Sequence, residues 1–376
     1  MITKSDIKLK DVCNIIMGQS PESSSYNQQG IGIPFFQGCS DFGEIHPSIR
    51  TYCSNPKKKA NVDDILISVR APIGTMNIAD RESCIGRGIA AITPLEIADK
   101  DFVYYLLQFN KGYLQSQGTG STFKAIGKTA LESMPVPNIP LKRQKAIGTE
   151  FRLIDRVLAN QRRQLTLLDD SVKSRFIEMF GGLHDSKIFR YVAVGEVATV
   201  TSGGTPSRSK SEYWKNGSIP WIKTTELKNA EIAGSEEMIT EEGLSNSSAK
   251  YIPAGSTLIA MYGQGKTRGM TGYLIKSMTV NQACAALVPN EHVNPKFLWH
   301  FMKLSYEKLR ELAKGGNQPN LSINLIQRFP LLLPPINLQS RYVKFVDGVD
   351  KSKLAIQKSI DELETLKKKL MQEYFG

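Results

Sequence analysis

The segment AMYGQGKTRG (260–269) comes close to a phosphate-binding loop, because its letters GKT (265–267) follow an apolar run. Such a loop needs a glycine five residues before Gly265, where this chain has Ala260. The segment fits a basic loop better than a nucleotide site, because cationic, amide and aromatic side chains suit phosphates and base edges. The candidate contacts in this loop are Tyr262, Gln264, Lys266 and Arg268.

Two other segments approach catalytic motifs without completing them. GRGIAA (86–91) fits a dinucleotide-binding pattern. Its counterpart 195 residues later in the chain, NQACAA (281–286), has no glycine where the cofactor motif needs one. LLPPI (332–336) lacks both the Asn or Asp before the prolines and the aromatic residue after them that a methyltransferase motif contains. We therefore predict that the isolated chain does not catalyse methyl transfer.

The histidines and cysteines favour packing over metal binding. The histidines are scattered, with no Asp/Glu cluster at ligand or nuclease spacing. We predict that His300 packs within a helix and that Cys284 is a buried apolar position. The five cysteines contain no CxxC pair, which fits reduced thiols in a cytoplasmic protein and makes structural zinc a poor prediction. These residues are His46, His184, His292 and His300, with Cys13, Cys39, Cys53, Cys84 and Cys284.

A second polar loop, TSGGTPSRSK (201–210), is a candidate binding element. Its paired glycines permit close approach of the backbone to a ligand, and its hydroxyl and cationic side chains can donate to phosphates. The alternative is a solvated turn. The candidate contacts are Ser202, Thr205, Ser207, Arg208 and Lys210.

Composition and charge limit the class of protein. Lys and Arg exceed Asp and Glu by 48 − 36 = 12, and the pI is about 9.3, which favours an anionic partner such as nucleic acid or a membrane surface. The excess is shared, with 23 − 18 = +5 in residues 1–184 and 25 − 18 = +7 in residues 185–376. The longest apolar run (329–336) is broken by proline, so we predict no membrane span, and the polar N-terminus predicts no secretory signal.

One sequence unit of nearly 190 residues occurs twice in the chain. At a shift of 185 residues, LKDVCNIIMGQSP (9–21) matches VGEVATVTSGGTP (194–206). At a shift of 195, IGRGIAAITP (85–94) matches VNQACAALVP (280–289), and EMFG (178–181) matches EYFG at positions 373 to 376. A repeat of this length indicates a duplicated module, with about ten extra residues in loops of the second copy.

Each copy begins with a strand-rich part and ends in a long helix. Short apolar runs with Gly, Pro and Ser between them predict strands, and a proline-rich exit follows. The stretches after the exits have apolar residues at heptad spacing, which predicts a coiled coil; the alternative is a long amphipathic helix packed on its own domain. The apolar seam positions are Phe151, Ile154, Leu158, Leu165, Leu168, Val172 and Met179 in the first helix, and Val346, Val349, Ile356, Ile360, Leu363, Leu370 and Tyr374 in the second.

The predicted fold class is α+β, with two similar strand-rich domains joined by two long helices. Two helices with matching seams in one chain are each other's most available partners, so a pseudo-twofold duplication would pair them as an antiparallel coiled coil. The two domains would then lie at opposite ends of the helix pair, as in a dumbbell. Such a protein suits a two-part ligand, such as duplex DNA with a bipartite, non-palindromic site. The predicted boundaries are 1–141 and 182–336 for the two domains, and 142–181 and 337–376 for the helices.

The whole chain resembles the specificity subunits of type I restriction–modification systems. The resemblance lies in the order of the parts and in phrases such as TSGGTPSRSKSEYW (201–214), DILISVRAPIG (64–74) and CIGRGIAAI (84–92). Further phrases are IPWIKTTEL (219–227), GSTFKAIGKTALESMPVP (120–137) and NQPNLSINLIQRFPLLLPP (317–335). Candidate DNA contacts within these phrases are Arg70, Arg87, Thr122, Lys124, Lys223, Thr224, Asn317 and Gln318.

The resemblance implies a non-catalytic subunit in which each target-recognition domain reads one half of a gapped DNA site. It also implies that the helix pair sets the gap and docks two methyltransferase subunits, and that translocase/endonuclease subunits complete the complex. S-adenosylmethionine, ATP and magnesium would then be bound by those partners, with no cofactor in this chain.

The loop MGQSPESSSYN (17–27) is the first copy's equivalent of the polar loop 201–210, and it has Glu22 and serines in place of the cations. Two copies of one domain that differ in this loop could read two different half-sites of DNA. The candidate contacts of this first loop are Gln19, Ser20 and Ser23.

A protein- or sugar-binding scaffold without DNA specificity is the alternative from another class. Sugar sites need exposed aromatic platforms, and the chain has only the tryptophans Trp214, Trp221 and Trp299. Retention on heparin or duplex DNA, with release by moderate salt, would separate the two hypotheses.

Overall fold

The structure, a computed structural model, describes residues 7–119, 124–263, 265–312 and 320–376. The chain divides into two compact units, of which unit 1 comprises 1–163 with 357–376 and unit 2 comprises 164–356. Each long helix is therefore shared between the two units. The predicted contacts Thr122, Gln264, Asn317 and Gln318 lie outside the described residues.

Unit 1 contains short strands, a pair of helices after them, and the first half of a long helix. Its strands are β1 (Cys13–Met17), β2 (Tyr26–Asn27), β3 (Ile33–Phe36), β4 (Tyr52–Cys53), β5 (Lys59–Ala60), β6 (Ile65–Ser68), β7 (Met76–Ile78), β8 (Ser83–Ile85) and β9 (Ile89–Pro94). Its helices are α1 (Leu9–Val12), α2 (Lys100–Phe109), α3 (Lys111–Ser116), α4 (Lys128–Glu132) and the long α5 (Leu141–Phe180). One sheet has the order β1-β9-β6-β7 and is antiparallel, and the other has the order β2-β4-β3-β8-β5 with β3 and β8 parallel.

Unit 2 has a similar arrangement with different numbers of strands in its sheets and an additional two-stranded sheet. Its strands are β10 (Tyr191–Ala193), β11 (Ala198–Ser202), β12 (Ile219–Ile222), β13 (Ala230–Ile232), β14 (Glu237–Ile239), β15 (Tyr251–Ile252), β16 (Thr257–Ala260), β17 (Thr271–Leu274), β18 (Met278–Val280), β19 (Cys284–Pro289) and β20 (Pro330–Leu332). Its helices are α6 (Val194–Val197), α7 (Glu241–Ser245), α8 (Pro295–Leu304), α9 (Tyr306–Leu312), α10 (Ile323–Gln327) and the long α11 (Ile336–Phe375). The sheets have the orders β11-β19-β16-β17-β13, β14-β12-β18-β15 and β10-β20.

Strand register confirms that the two units are copies of one module. In unit 1 the parallel pair β3 and β8 places Phe35 beside Cys84. In unit 2 the parallel pair β12 and β18 places Trp221 beside Thr279, at the same positions of the repeat. Every one of these side chains faces a buried environment, so apolar packing holds the register in both copies.

The two long helices run antiparallel within each unit. In unit 1, the Tyr374 hydroxyl donates to Glu150 at 3.1 Å, and Gln161 donates to the Ser359 hydroxyl at 2.7 Å. In unit 2, Lys353 pairs with Asp169. Buried seam residues are Phe151, Ile154, Leu158, Val346, Val349 and Ile360, and half-buried ones are Leu165, Leu168, Val172, Met179, Ile356, Leu363, Leu370 and Tyr374.

A buried glutamine near the start of each long helix joins it to the start of an earlier helix, α8 in unit 2 and α2 in unit 1. Gln339 accepts the Asn294 amide at 2.8 Å and donates to the Pro334 carbonyl at 2.8 Å. Gln144, at the equivalent position of unit 1, accepts the Asp99 amide at 3.0 Å and donates to the Ile139 carbonyl at 2.8 Å. Each side-chain amide thus satisfies one main-chain group at the start of α8 or α2 and another just before its own long helix, which ties the two helix starts together.

The repeated ending EMFG and EYFG has the same structural role in both copies. Phe180 closes α5 and is fully buried in unit 2, with its ring 5.6 Å from that of Phe297. Phe375 closes α11 and lies in unit 1, with its ring 5.3 Å from that of Phe102. Phe102 and Phe297 occupy equivalent positions of the repeat, so each long helix ends on the same aromatic residue of a domain.

None of the helices within the described part of the chain is long and apolar enough to cross a membrane.

Candidate nucleic-acid interface

The candidate loops of unit 1 meet where several strands end. The Gln19 amide donates to the Ile85 carbonyl at 3.0 Å, which joins the loop after β1 to the loop after β8. The Val69 amide donates to the Gly88 carbonyl at 2.9 Å, and the Val69 carbonyl accepts the Ile126 amide at 2.9 Å. These bonds bring four loops together into what we call the unit 1 rim, formed by residues 18–20, 69–73, 86–88 and 124–126.

Unit 2 has the same junction at equivalent positions. The Gly204 amide donates to the Val280 carbonyl at 3.1 Å, and the Met261 amide donates to the Ala283 carbonyl at 2.9 Å. The Met261 carbonyl accepts the Leu321 amide at 3.0 Å. We call this the unit 2 rim, formed by residues 203–205, 261–263, 265–268, 281–283 and 320–321.

Most of the unit 1 candidates belong to its rim. Gln19, Arg70, Arg87 and Lys124 are exposed there. Ser20 is partly buried, and its hydroxyl accepts the Arg87 amide at 3.4 Å, which links two of the loops. Ser23 is exposed in a 3₁₀ turn (Ser23–Ser25) outside the rim.

The unit 2 rim contains Gln282, which the sequence reasoning missed. The Thr205 hydroxyl donates to the Gln282 side-chain oxygen, so Thr205 links the same two loops that Ser20 links in unit 1. Gln282 is exposed and stands where unit 1 has Arg87. The alignment at a shift of 195 pairs these two residues, and that signal was sufficient to find it.

The glycines of the loop 201–210 have a different role from the one predicted. A side chain at Gly203 would lie 1.8 Å from the Val280 carbonyl oxygen, and one at Gly204 would lie 2.2 Å from the Ser248 hydroxyl. Both glycines are buried. They therefore permit close approach of the loop to its own domain, and not, as predicted, close approach of the backbone to a ligand.

Arg208 is held by aromatic rings and a carboxylate. Its guanidinium carbon lies 3.6 Å from the centroid of the Trp214 ring and 4.9 Å from that of Trp221. One guanidinium nitrogen donates to Glu237, and this hydrogen bond holds the pKa of the Glu237 carboxyl below its ordinary value. The side chain is nevertheless about half exposed, so one edge of the guanidinium faces solvent.

Glu237 also binds Lys223, whose ammonium lies 2.9 Å from it and 3.2 Å from Glu236. The two candidate cations Arg208 and Lys223 thus share one carboxylate. Contact with phosphate would require them to exchange that carboxylate for the phosphate oxygens.

The remaining unit 2 candidates outside the rim differ in exposure. Lys210 donates to the Tyr213 hydroxyl at 2.9 Å, and this bond raises the pKa of the Lys210 ammonium. Ser207 is exposed and shares a hydrogen bond of 2.8 Å with Ser209. Ser202, the last residue of β11, and Thr224, in the 3₁₀ turn Thr224–Glu226 after β12, are partly buried.

The loop after β16 carries Tyr262 and Lys266 as exposed side chains, with Tyr262 41% exposed. Arg268 is partly buried. Its main-chain carbonyl accepts a hydrogen bond of 3.0 Å from the Arg310 side chain.

The buried titratable groups belong to the core. His300 is 2% exposed beside Trp299 and Tyr342, and burial lowers the pKa of its imidazole to about 3. Cys284 is fully buried in β19, and the packing predicted for both residues is confirmed. Within the described residues, no group of three His, Cys, Asp or Glu side chains is arranged to hold a metal ion.

The tryptophans do not form an open aromatic platform. Trp221 and Trp299 are 2% and 3% exposed, and the Arg208 guanidinium lies over the Trp214 ring. The two rims instead present cations, amides, hydroxyls and a tyrosine ring. These are the groups that bind phosphate oxygens and base edges.

Curated relatives point in the same direction. The chain is 46% identical over 160 residues to a protein of Methanocaldococcus jannaschii named as the specificity subunit of the type I restriction enzyme MjaX, a match that covers 42% of this chain and 38% of the relative. It is 32% identical over 184 residues to the EcoR124I/EcoR124II specificity subunit of Escherichia coli, covering 48% of this chain and 46% of that protein. The matched segments thus span less than half the length of these two relatives. A third relative, the MjaIX specificity subunit of M. jannaschii, is 21% identical with 97% of this chain and 90% of that protein covered.

Solved structures show the same fold. The type I restriction–modification system S subunit from M. genitalium superposes with a TM-score of 0.63 at 16% identity, covering 98% of this chain and 95% of that one. A chain from a structure concerned with complex assembly and conformational transition of the type I R-M system gives a TM-score of 0.62 at 17% identity, covering 98% and 96%.

The family profile described as "Type I restriction modification DNA specificity domain" matches residues 1–167 and again 187–365. These two matches take in most of the chain and coincide with the two copies seen in the strand register. The chain therefore belongs to the type I restriction–modification DNA specificity family.

Proposed function

We propose that this chain is the DNA-recognition subunit of a type I restriction–modification complex, in which each unit reads one half of a bipartite, gapped site. The observation that supports this most is the pair of rims, which share a backbone frame but differ in their side chains. Arg70 in unit 1 stands where unit 2 has Tyr262, and Arg87 stands where unit 2 has Gln282. Arginine and glutamine prefer different base edges, so equivalent rims with different residues suit two unlike half-sites.

We propose in addition that the chain has no catalytic activity of its own and acts in the cytoplasm. Two methyltransferase subunits would bind S-adenosylmethionine, and translocase/endonuclease subunits would bind ATP and magnesium. Double-stranded DNA and these subunits are the proposed partners. Methyl transfer to DNA by the rigorously purified chain would contradict this assignment.

DNA binding by the full chain is expected to weaken steeply with salt. With roughly six phosphate contacts, the logarithm of affinity should fall with the logarithm of salt concentration at a slope of about −5. Outside the long helices, residues 1–141 carry 14 − 13 = +1 and residues 185–336 carry 17 − 12 = +5, so unit 2 should contribute more of this slope. Fluorescence anisotropy with a labelled random-sequence duplex, measured over a salt series, gives the slope directly.

A matched pair of lysines tests where the phosphates bind. Lys266→Gln should make the slope shallower by about 1, because one phosphate contact is lost. Lys276→Gln removes the same charge from the opposite end of β17, outside the unit 2 rim, and should leave the slope nearly unchanged. Equal effects of the two substitutions would place the phosphate contacts elsewhere.

The long helices are expected to set the length of the gap between the half-sites. Inserting one heptad into α5 after Arg163 and one into α11 after Ile356 leaves the contacts inside each unit intact. The insertion lengthens each helix by about 10 Å, close to the rise of about three base pairs. We expect selection of a gap longer by one to three base pairs, weaker binding and unchanged half-site letters, because three base pairs also rotate the groove by roughly 100°.

Selection from a random duplex library reads out the gap. A heptad inserted into α5 alone is the control, because it leaves no equivalent length of α11 to pair with and should lower the stability of the protein. If the double insertion retained the original gap or altered the half-site letters, the helices would not set the spacing.

A further inference from the structure

Two side chains of α9 hold main-chain carbonyls of the loop after β16. The Tyr306 hydroxyl donates to the Lys266 carbonyl at 2.7 Å. The Arg310 guanidinium donates to the Arg268 carbonyl at 3.0 Å and to the Tyr306 hydroxyl at 3.2 Å. Leu309, between them in sequence, is fully buried, so α9 is itself fixed to the core of unit 2.

We call a side chain that holds such a carbonyl a clamp. Unit 1 has an equivalent clamp built from a different residue. The Gln115 side chain of α3 donates to the Ile73 carbonyl at 3.2 Å. At the shift of 195 residues, Gln115 corresponds to Arg310 and Ile73 corresponds to Arg268. The neighbouring Leu114 is fully buried, as Leu309 is in unit 2.

The clamp marks the end of a loop whose start is fixed by the rim junction. A left-handed glycine follows the clamped carbonyl in both units, Gly74 with φ 83° and Gly269 with φ 86°. The Gly74 amide donates to the Ser68 carbonyl at 3.0 Å, and the Gly269 amide donates to the Ala260 carbonyl at 2.9 Å. Both ends of each loop are therefore held by equivalent main-chain bonds.

The loops differ between these shared anchors. Unit 1 has residues 70–72 between Val69 and the clamped Ile73, whereas unit 2 has residues 262–267 between Met261 and the clamped Arg268. The second loop is thus three residues longer and different in sequence. The Arg268 carbonyl is nevertheless held from the position of α9 that corresponds to Gln115 of α3. The clamp acts on the main chain and leaves the side chains of Tyr262 and Lys266 exposed.

We infer that Arg310 and Gln115 are positioning residues for half-site recognition, which fix residues 265–268 and 70–73 through the carbonyls of Arg268 and Ile73. The inference rests on the proposed function. A loop already held in one conformation cannot rearrange to suit a wrong base, so its contacts discriminate between sequences more strongly than those of a flexible loop. Each clamp serves the half-site read by its own unit.

Selection of the full-length protein on a library of duplexes with a randomised central segment tests the inference. Arg310→Leu should lower discrimination at one half-site by about tenfold, because a hydrogen bond from a charged donor is lost. Arg310→Gln installs the residue that unit 1 uses and should retain discrimination. Both variants remove the same charge, so a difference between them reports the hydrogen bond and not the net charge.

Two controls sharpen the result. Lys308→Gln removes a charge from the exposed face of α9, where Lys308 pairs with Glu311 at 3.4 Å, and should leave the selected letters unchanged. Gln115→Leu should lower discrimination at the other half-site and leave discrimination unchanged at the half-site affected by Arg310→Leu.

Thermal unfolding of each variant shows whether the fold is retained. Tyr306→Phe removes only a hydroxyl and provides a milder test of the same clamp.

Hydrogen exchange gives a readout that does not depend on DNA. Amides of residues 261–270 should exchange faster in Arg310→Leu than in the wild type, and at the wild-type rate in Arg310→Gln. Unchanged exchange would overturn the clamp, and faster exchange with unchanged half-site letters would overturn its role in recognition. If the wild type itself selected no bipartite sequence while exchange behaved as expected, the proposed function would fail and the clamp would remain a structural feature only.

Discussion

A chain in which residues 1–141 are replaced by a second copy of residues 186–336 is expected to select the same letters in both half-sites. The two segments occupy equivalent positions of the repeat, and each carries its own rim. Since each mismatched base pair weakens binding by about 1–3 kcal/mol, three changed positions should lower affinity for the original site at least about a hundredfold. Selection from a random duplex library measures both effects.

The contacts at the boundary of the exchange favour correct folding of this chain. The incoming segment brings the Asn294 amide and the Pro334 carbonyl, which Gln339 binds in unit 2 and which Gln144 would bind in the chimera. It also brings Phe297, the partner of Phe180, for contact with Phe375. Letters of the first half-site that persisted in the chimera would show that residues 1–141 do not read them.

Replacement of Phe180 with alanine is expected to destabilise unit 2 by about 3–5 kcal/mol, because it leaves a cavity in an aromatic core. The Phe180 ring is fully buried, 4.8 Å from Phe176 and 5.7 Å from Tyr342. Hydrogen exchange of the amides of α8, measured in denaturant, reports the stability of unit 2 separately from that of unit 1.

Ile177→Ala is the matched control. Ile177 lies one turn before Phe180 on α5 but is 57% exposed, so its truncation should change stability by less than about 0.5 kcal/mol. A comparable loss in the two variants would mean that the aromatic end of α5 does not anchor unit 2. Phe375→Ala should have the corresponding effect on unit 1.

The sequence predicted the long helices well because their signal is periodic. Apolar residues at heptad spacing must lie on one side of a helix, and all of the named apolar seam positions, from Phe151 to Met179 and from Val346 to Tyr374, are buried or half-buried. The helices begin one residue before the predicted boundaries, at Leu141 and Ile336. Duplication was equally visible, because self-alignment does not depend on knowing the fold.

The sequence could not predict which side chain neutralises the candidate contact Arg208. Arg208 and Glu237 are 29 residues apart, and their contact depends on the pairing of β12 with β14. The glycines at 203 and 204 were misinterpreted for a similar reason, because the groups that they approach, Val280 and Ser248, come from distant parts of the chain. The positioning role inferred for Arg310 also became visible only when α9 was placed beside the loop.

The division of α11 between the units has a consequence for synthesis on the ribosome. Unit 2 is continuous in sequence, whereas unit 1 requires residues 357–376 to complete its helix pair. At about 5–20 residues per second, these last residues follow Arg163 by roughly 10–40 s. Unit 2, although it is synthesised later, can therefore complete its folding first. During this interval the ring surfaces of Phe102 and Phe151 that contact Phe375 remain uncovered in the nascent chain.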